Sequence, residues 1–371
     1  MTDRQLFEET FSALHASEDT ITEVFKMARE QDNARKRRMP ARTGALIALA
    51  AVLLMTTAFA AAANGFFGTV FGSKGQEDVA AHEVTEPEKG SSYMVPAREW
   101  VEVDEAQAEA LVGEYVAEIG TSVSVGDWTL TVDDYTIDDH GLGAIVYTLS
   151  NPKGLGDAIQ DAGYGEYWVN GDNPDGLHEI GLDGDWEEGG MPHMFDTRNI
   201  VDRDLTTDTE LHAVMYFAPF FHFEEGESIH MTLQRVVGHI PTPEEDAAGV
   251  EAQWEEQTIT FLPESFIPSR EFQSGEGYTA HVSPMGIFFD IDFEGADPEA
   301  FLRELSVAFD DGTEYILKSD DPYVDNQIVS CGSSMGDVSA SVFNRLVDAE
   351  SVVSVTRNGA EDASIVFTPA A

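Results

Sequence analysis

Residues 126–150, GDWTLTVDDYTIDDHGLGAIVYTLS, decide how most of this chain is read. Trp128, Leu130 and Val132 alternate with Thr129 and Thr131, a period of two that suits a half-buried strand. Gly126-Asp127 reads as a turn that joins this strand to the Val123–Val125 run before it. Asp138-Asp139-His140-Gly141 reads as a second turn, which leads into Ile145, Tyr147 and Leu149. Three short strands joined by tight turns are the start of an antiparallel sheet.

Working outward, the same texture recurs. His212 to Phe223 is an apolar run broken by Pro219, and Glu224-Glu225-Gly226-Glu227 reads as the turn of a hairpin into Ile229–Val237. Val282 to Phe293 carries Pro284 and Gly286, which suit a bulge or an edge. Leu305–Phe309 and Tyr315–Leu317 flank Asp310-Asp311-Gly312, and Val352–Thr356 and Ser364–Phe367 flank Asn358-Gly359, the strongest hairpin signal in the chain. Helical signals are few. Asp104 opens a stretch in which Leu111, Val112, Tyr115, Val116 and Ile119 share a face and Gly120 ends it. Asp297-Pro298-Glu299 reads as the start of one short helix. Residues 154–200 are rich in Gly and Asp and read as a long decorated loop. The expected fold class is therefore mainly β, with two β-sandwich-like domains at 101–240 and 258–371 joined by an acidic, Pro-bearing linker at 241–257.

The N-terminal part differs in kind. Residues 44–63, GALIALAAVLLMTTAFAAAA, are twenty residues without a charge. At helical rise they cover about 30 Å, the hydrocarbon thickness of a bilayer. Leu46, Ile47, Leu49, Val52, Leu53, Leu54 and Phe59 contribute about −2 to −4 kcal/mol to insertion. Arg35, Lys36, Arg37, Arg38 and Arg42 precede the run, and no base follows until Lys74. The positive-inside rule then puts residues 1–43 in the cytoplasm, makes 44–63 a transmembrane helix and 64–100 a stalk, and places the bulk outside. Two other readings compete: a buried soluble helix, and a signal peptide cleaved at Ala58-Phe59-Ala60. The long, mixed-charge segment ahead of the run favours a retained anchor, because signal n-regions are short and basic.

The charge is distributed accordingly. Of 20 Lys+Arg and 69 Asp+Glu, eight bases and eight acids lie before residue 43. The formal net charge of −49 therefore sits entirely beyond it. Such a surface excludes nucleic acid as a direct partner, since phosphate neutralisation needs basic groups. The one cysteine, Cys331, excludes an intramolecular disulfide, a thiolate zinc cluster and a CxxC redox motif.

Within the first 43 residues, Leu6, Phe7, Phe11 and Leu14, then Ile21, Val24 and Phe25, recur at helical spacing. Ser17 is placed to cap the second helix, and Thr20 with Glu23 forms a capping box. Each helix is too short to be stable alone. Their apolar faces call for a partner, either each other or a cytoplasmic protein.

Catalytic signals fail on inspection. Gly332-Ser333-Ser334-Met335-Gly336 matches the G-x-S-x-G elbow, but the last histidine is His281 and none follows the serine, as that triad order requires. Phe71-Gly72-Ser73-Lys74-Gly75 lacks the spacing of a phosphate loop. His212, His222, His230 and His239 are conceivable metal ligands that read better as surface or packing residues. Asp172, Asp175, Asp183 and Asp185 lie in Gly-rich sequence without a calcium-loop spacing. No enzyme activity, metal or cofactor is expected.

Four stretches carry a family resemblance: residues 11–27 (FSALHASEDTITEVFKM), residues 126–152, residues 281–293 (HVSPMGIFFDIDF) and residues 343–359 (FNRLVDAESVVSVTRNG). Together they resemble a bacterial family of single-pass membrane proteins, domain of unknown function 4179, whose members look like membrane-bound anti-sigma factors. The resemblance implies that the cytoplasmic helices sequester an extracytoplasmic-function sigma factor until an outside signal releases it. The zinc-binding His/Cys motif of better-known anti-sigma domains is absent. The alternative is a surface-anchored binding or adhesive module with no regulatory role, in which the exterior meets an unknown ligand.

Overall fold

A computed structural model describes residues 78–86, 91–99, 101, 103–156, 159–163, 166–169, 177–186, 192–237, 253–290, 304–320, 323–333, 338–358 and 364–370. The architecture is mainly β, as expected. A small hairpin, β1 (His82–Glu86) and β2 (Ser91–Val95), precedes one short helix, α1 (Glu105–Val112). The first large sheet follows: β3 (Ala117–Val125), β4 (Trp128–Ile137), β5 (Gly143–Ser150), β6 (Ile159–Gly163), β7 (Glu166–Val169), β8 (Leu177–Trp186), β9 (Pro192–Val201), β10 (Glu210–Pro219), β11 (Ile229–Val236) and β12 (Trp254–Phe261). The second contains β13 (Arg270–Ser274), β14 (Thr279–Val282), β15 (Gly286–Asp290), β16 (Glu304–Phe309), β17 (Glu314–Asp320), β18 (Tyr323–Asp325), β19 (Gln327–Ser333), β20 (Val338–Phe343), β21 (Val352–Asn358) and β22 (Ser364–Pro369).

In the first sheet the order is β12-β11-β8-β9-β10-β5-β4-β3, all antiparallel, with the β6–β7 hairpin off this path. The sheet curls until β12 returns beside β3, and Tyr135 on β4 meets Phe261 on β12 with ring centroids 4.8 Å apart. Inside lie Trp128, Leu130, Tyr147, Leu149, Met215, Phe217, Met231 and Leu233. The second sheet runs β18-β17-β16-β21-β22-β13-β14-β15-β20-β19. Its two end strands are consecutive in the chain and separated only by Asn326, so the backbone itself completes the circuit. Phe272, Phe289, Val307, Leu317, Phe343 and Phe367 fill its interior. Each body is thus a nearly closed sheet around its own core.

A third apolar layer lies between them. Leu142, Ala144, Val214 and Tyr216 of the first sheet pack on Phe288, Val329, Cys331 and Ala340 of the second, with Val112 of α1 at the edge. Both faces of β5 and β10 are therefore buried, which explains why His212 to Phe223 reads as an apolar run. Cys331 belongs to this layer. Its thiol donates to the Pro219 carbonyl at 2.9 Å, and burial pushes its pKa up to about 12, so it is an inert core residue.

Several sequence expectations need correction. Residues 154–200 are not one long loop, because β8 and much of β9 are ten-residue strands that supply Leu182 and Phe195 to the core. Few apolar residues among many Gly and Asp hid their period. The hairpin expected across Glu224–Glu227 does not form, since β10 pairs with β5 and β9 while β11 pairs with β8 and β12. Trp254–Phe261 is the edge strand of the first sheet, so the passage to the second body falls after Phe261 rather than at 241–257. The helix from Asp104 stops at Val112, followed by a 3-10 turn over Gly113–Tyr115, and Ile119 is already in β3. Its cap is as expected: the Asp104 carboxylate accepts the backbone N–H of Ala106 and Gln107 at 3.0 and 3.1 Å. Pro284 and Gly286 bound the tight β14–β15 turn, closed by the Ser283 N–H donating to the Gly286 carbonyl at 3.0 Å. Part of the stretch read as a stalk, from Asp78 to Glu99, carries the β1–β2 hairpin. The expected helix at Asp297 and the segment 44–63 lie outside the described residues; among the described residues no helix is long and apolar enough to cross a membrane.

Candidate functional site

The two sheets are locked together where two turns meet. The turn after β4 begins with Asp138, which is fully buried. Its Oδ1 accepts the N–H of His140 at 3.0 Å and of Leu142 at 2.8 Å, which shapes the turn, and Gly141 takes the positive φ (89°) that completes it. Its Oδ2 accepts the Ser283 hydroxyl at 2.6 Å, across from the other sheet. Ser283 Oγ in turn accepts the N–H of Met285 at 3.1 Å and of Gly286 at 3.3 Å, ordering the β14–β15 turn. One carboxylate therefore organises a turn on each body. Burial raises the Asp138 pKa to about 7, against the lowering effect of the Ser283 hydroxyl and the turn amides. At Gly286 the fit is tight: a Cβ there would fall 2.2 Å from the Ser341 carbonyl oxygen and 2.7 Å from Leu142 Cδ2.

Beside this lock lies a histidine cluster drawn from both bodies. His140, from the β4–β5 turn, and His281, from β14, have ring centroids 4.0 Å apart. His140 also stacks on Phe288 at 4.8 Å with an interplanar angle of 14°, and His222, after β10, meets the same ring edge-on at 5.4 Å. Carboxylates stand at the rim: Asp139 Oδ1 is 3.8 Å from His140 Nε2, and Asp290 Oδ1 is 3.7 Å from His222 Nε2. Burial, then repulsion from His281, holds His140 well below the ordinary imidazole pKa. His281 is lowered by burial, with Glu271, Asp139 and Asp290 opposing. Near neutral pH both rings are uncharged, and acidification asks two touching imidazoles to accept protons.

A second constellation ties the N-terminal segment to the second sheet. Ala97 N–H donates to the Tyr323 carbonyl at 2.9 Å, and Asp325 N–H donates to the Ala97 carbonyl at 2.9 Å. Glu99 N–H donates to Asn326 Oδ1 at 2.8 Å, and Asn344 Nδ2 donates to the Glu99 carbonyl at 2.6 Å. Arg345 pairs with Glu99 at 3.0 Å while its guanidinium lies 4.1 Å over the Tyr315 ring. Tyr315 donates to Asn344 Oδ1 at 2.8 Å, and Asn326 Nδ2 to the Ile316 carbonyl at 2.8 Å, so the clamp is continuous with the junction that closes the sheet.

The residues expected from the sequence to carry function are placed as follows. The partner-binding set Leu6, Phe7, Phe11, Leu14, Ile21, Val24 and Phe25 lies outside the described residues, as does the basic set Arg35, Lys36, Arg37, Arg38 and Arg42. The three of these histidines within the described residues do not converge. His212 contacts the Thr148 hydroxyl at 3.2 Å, His230 bonds Thr260 at 2.9 Å and Asp185 at 3.0 Å, His222 joins the seam, and His239 is outside the described residues. Asp172 and Asp175 are also outside, while Asp185 is engaged by the Ser228 N–H at 2.9 Å. Among the described residues no group of three or more His, Cys, Asp or Glu is arranged to hold a metal ion. Gly332 and Ser333 are in strand β19, and Ser334, Met335 and Gly336 lie outside the described residues. Sequence reasoning missed the seam because His140 and His281 are far apart in the chain, and neither sits in a recognisable motif.

No protein-family model matches the chain, and no curated protein matches it. Among solved structures, a conserved domain protein from Bacillus anthracis aligns with a TM-score of 0.36 at 12% identity, covering 68% of this chain and 85% of that one.

Proposed function

We propose that the protein is a single-pass membrane regulator of the anti-sigma type, similar to the domain-of-unknown-function 4179 proteins. Its helices at residues 6–25 hold an extracytoplasmic-function sigma factor inside the cell, and its two β bodies sense conditions outside. The observation that carries this reading is the charge map: a neutral first 42 residues ending in a basic cluster, then an uncharged twenty-residue run, then the whole of the −49 charge. The clamp adds to it. Residues 97–99, at the end of the stretch read as a stalk, are gripped by the most C-terminal body, which offers a route by which a change in that body would reach the stalk. The seam adds a proton-responsive contact between the bodies. Two of the stretches that carry the family resemblance, 126–152 and 281–293, meet at that seam.

Deleting residues 2–33 from the chromosomal copy tests the proposal. Transcription dependent on the cognate sigma factor should rise severalfold, and the factor should no longer co-purify with the membrane fraction. Unchanged transcription, together with no sigma factor co-purifying with the intact chain, rules the reading out and leaves the span as a simple anchor for a surface module.

A further inference from the structure

The first sheet has a break. The β8–β9 ladder pairs Trp186 with Pro192 and Asp183 with Met194 and then ends, although both strands continue for several residues. Among the described residues, β8 has no ladder partner on that side from Leu177 to Leu182, while its other edge pairs with β11 along this stretch with a bulge at His178. A cavity of about 450 Å³ occupies the gap, lined by Glu179, Gly181 and Asp183 of β8, Thr197 of β9, and Gln234 and Glu256 from the neighbouring strands. That volume falls in the roughly 300–1,000 Å³ range of ligand sites. An open strand edge presents N–H and C=O groups at peptide spacing and is a template for another strand. The far end of the gap is filled by the chain itself, where Glu166 of β7 pairs with Ile200 of β9 and β7 lies against β8, so the open stretch of β8 lies between that point and Asp183.

Gly181 sharpens the point. Glycine inside a strand weakens it and is kept where a turn, a close packing contact or an approaching backbone needs it. The fold needs none of these at Gly181. A Cβ built there meets only the Glu179 side chain, at 3.6 Å, and its φ lies outside the left-handed region. What the missing side chain does provide is an open floor to the cavity.

Among the described residues the lining carries three carboxylates, Glu179, Asp183 and Glu256, and no basic group. Neighbouring stretches of the chain are themselves acidic, with Asp172 and Asp175 in 170–176, Glu187 and Glu188 in 187–191, and Glu244, Glu245, Asp246 and Glu251 in 238–252. They are poor electrostatic matches for the cavity. We propose that the slot between β8 and β9 is a docking groove for an extended, cationic polypeptide segment, which adds to the open edge of β8 as a strand. This gives the proposed regulator an exterior ligand class, yet the binding measurement stands whether or not residues 1–42 hold a sigma factor.

The test uses full-length protein in detergent micelles and a fluorescent hexapeptide of alternating lysine and valine. Three comparison peptides accompany it: the glutamate–valine counterpart, a lysine–valine version with a central proline, and the same composition in N-methylated form. A protein of this net charge attracts any cation, so the decisive outcomes are stereochemical. Binding of the lysine–valine peptide should exceed that of the proline and N-methylated forms by at least tenfold. Gly181→Leu should weaken it by at least tenfold while the thermal midpoint is retained, because the new side chain fills the groove and not the core. Glu179→Lys with Glu256→Lys should shift preference toward the glutamate–valine peptide. Equal binding of the proline form, undiminished binding to Gly181→Leu, or no binding by a protein shown to be folded each overturns the proposal.

Discussion

Two glycines show how differently the two β bodies are built. Gly286, in the second, is sealed between the Ser341 backbone and Leu142, and any side chain there collides with both. Gly181, in the first, faces a cavity and collides with nothing rigid. The second body is closed by its own backbone through Asn326 and holds the N-terminal clamp. The first is interrupted between β8 and β9. A continuous ladder spends its hydrogen-bonding groups on itself, and a broken one leaves some for another molecule.

The largest expected contrast comes from one residue type in both bodies. Ile287→Ala, inside the closed second core, should cost about 2–5 kcal/mol in urea unfolding. Ile180→Ala, whose site borders the open slot at 9% exposure, should cost clearly less, since less apolar surface is lost and the cavity relaxes into an existing opening. Equal losses would mean that the slot is not open in solution. Next, Gly286→Ala should destabilise by about 1–3 kcal/mol through overpacking against backbone. Gly181→Ala should be neutral or stabilise by up to about 1 kcal/mol, because it only narrows the unfolded ensemble. A destabilising Gly181→Ala would reveal a packing role that the described geometry does not contain.

Asn326→Ala should cost about 1–3 kcal/mol by leaving the Glu99 N–H and the Ile316 carbonyl without their partner. Limited proteolysis should then cut at residues 78–99 before either sheet is digested. Simultaneous digestion would show that the clamp is not a separable contact.

The smallest effect concerns pH. The His140 pKa is depressed by burial and by His281, so its contribution is present above the unfolded value of 6.5 and is lost as pH falls through the folded value. Asp138 has the opposite sign. Its pKa is raised to about 7, so its contribution is greatest in acid and is lost as pH rises through that value. The two oppose one another between about pH 4 and 7, and a pH profile of the native protein alone would blur them. The difference between wild type and His140→Gln separates them. On moving from about pH 7 to 5, the thermal midpoint of the variant should fall by a few degrees less than that of the wild type. Parallel profiles would remove the histidine contact as a proton-responsive element.

Much of this fold was legible where local chemistry is decisive. Gly126, Gly141 and Gly312 take positive φ in the turns expected of them, and Asp104 caps its helix. The β-rich class and its division into two bodies followed from alternation and turn spacing. Strand partners were less accessible. The β10–β11 turn looked like a hairpin because a turn signal fixes a change of direction, whereas pairing depends on which edges are still open. β8 and β9 escaped notice because their weak hydrophobic period belongs to a sheet that is incomplete on one side. The seam was hidden for a different reason. Asp138 and Ser283, like His140 and His281, become neighbours only when two separately folded surfaces dock, and nothing local marks the pairing.

The clamp also bears on how the chain is made. Glu99 leaves the ribosome long before Asn326, Asn344 and Arg345, its partners 227 or more positions later. The early segment therefore waits, unfastened, while both sheets are synthesised, and it is secured only when the last quarter of the polypeptide has emerged. A chain released before that point would carry a first body with its leading segment untethered, so the fastening doubles as a record that translation passed Arg345.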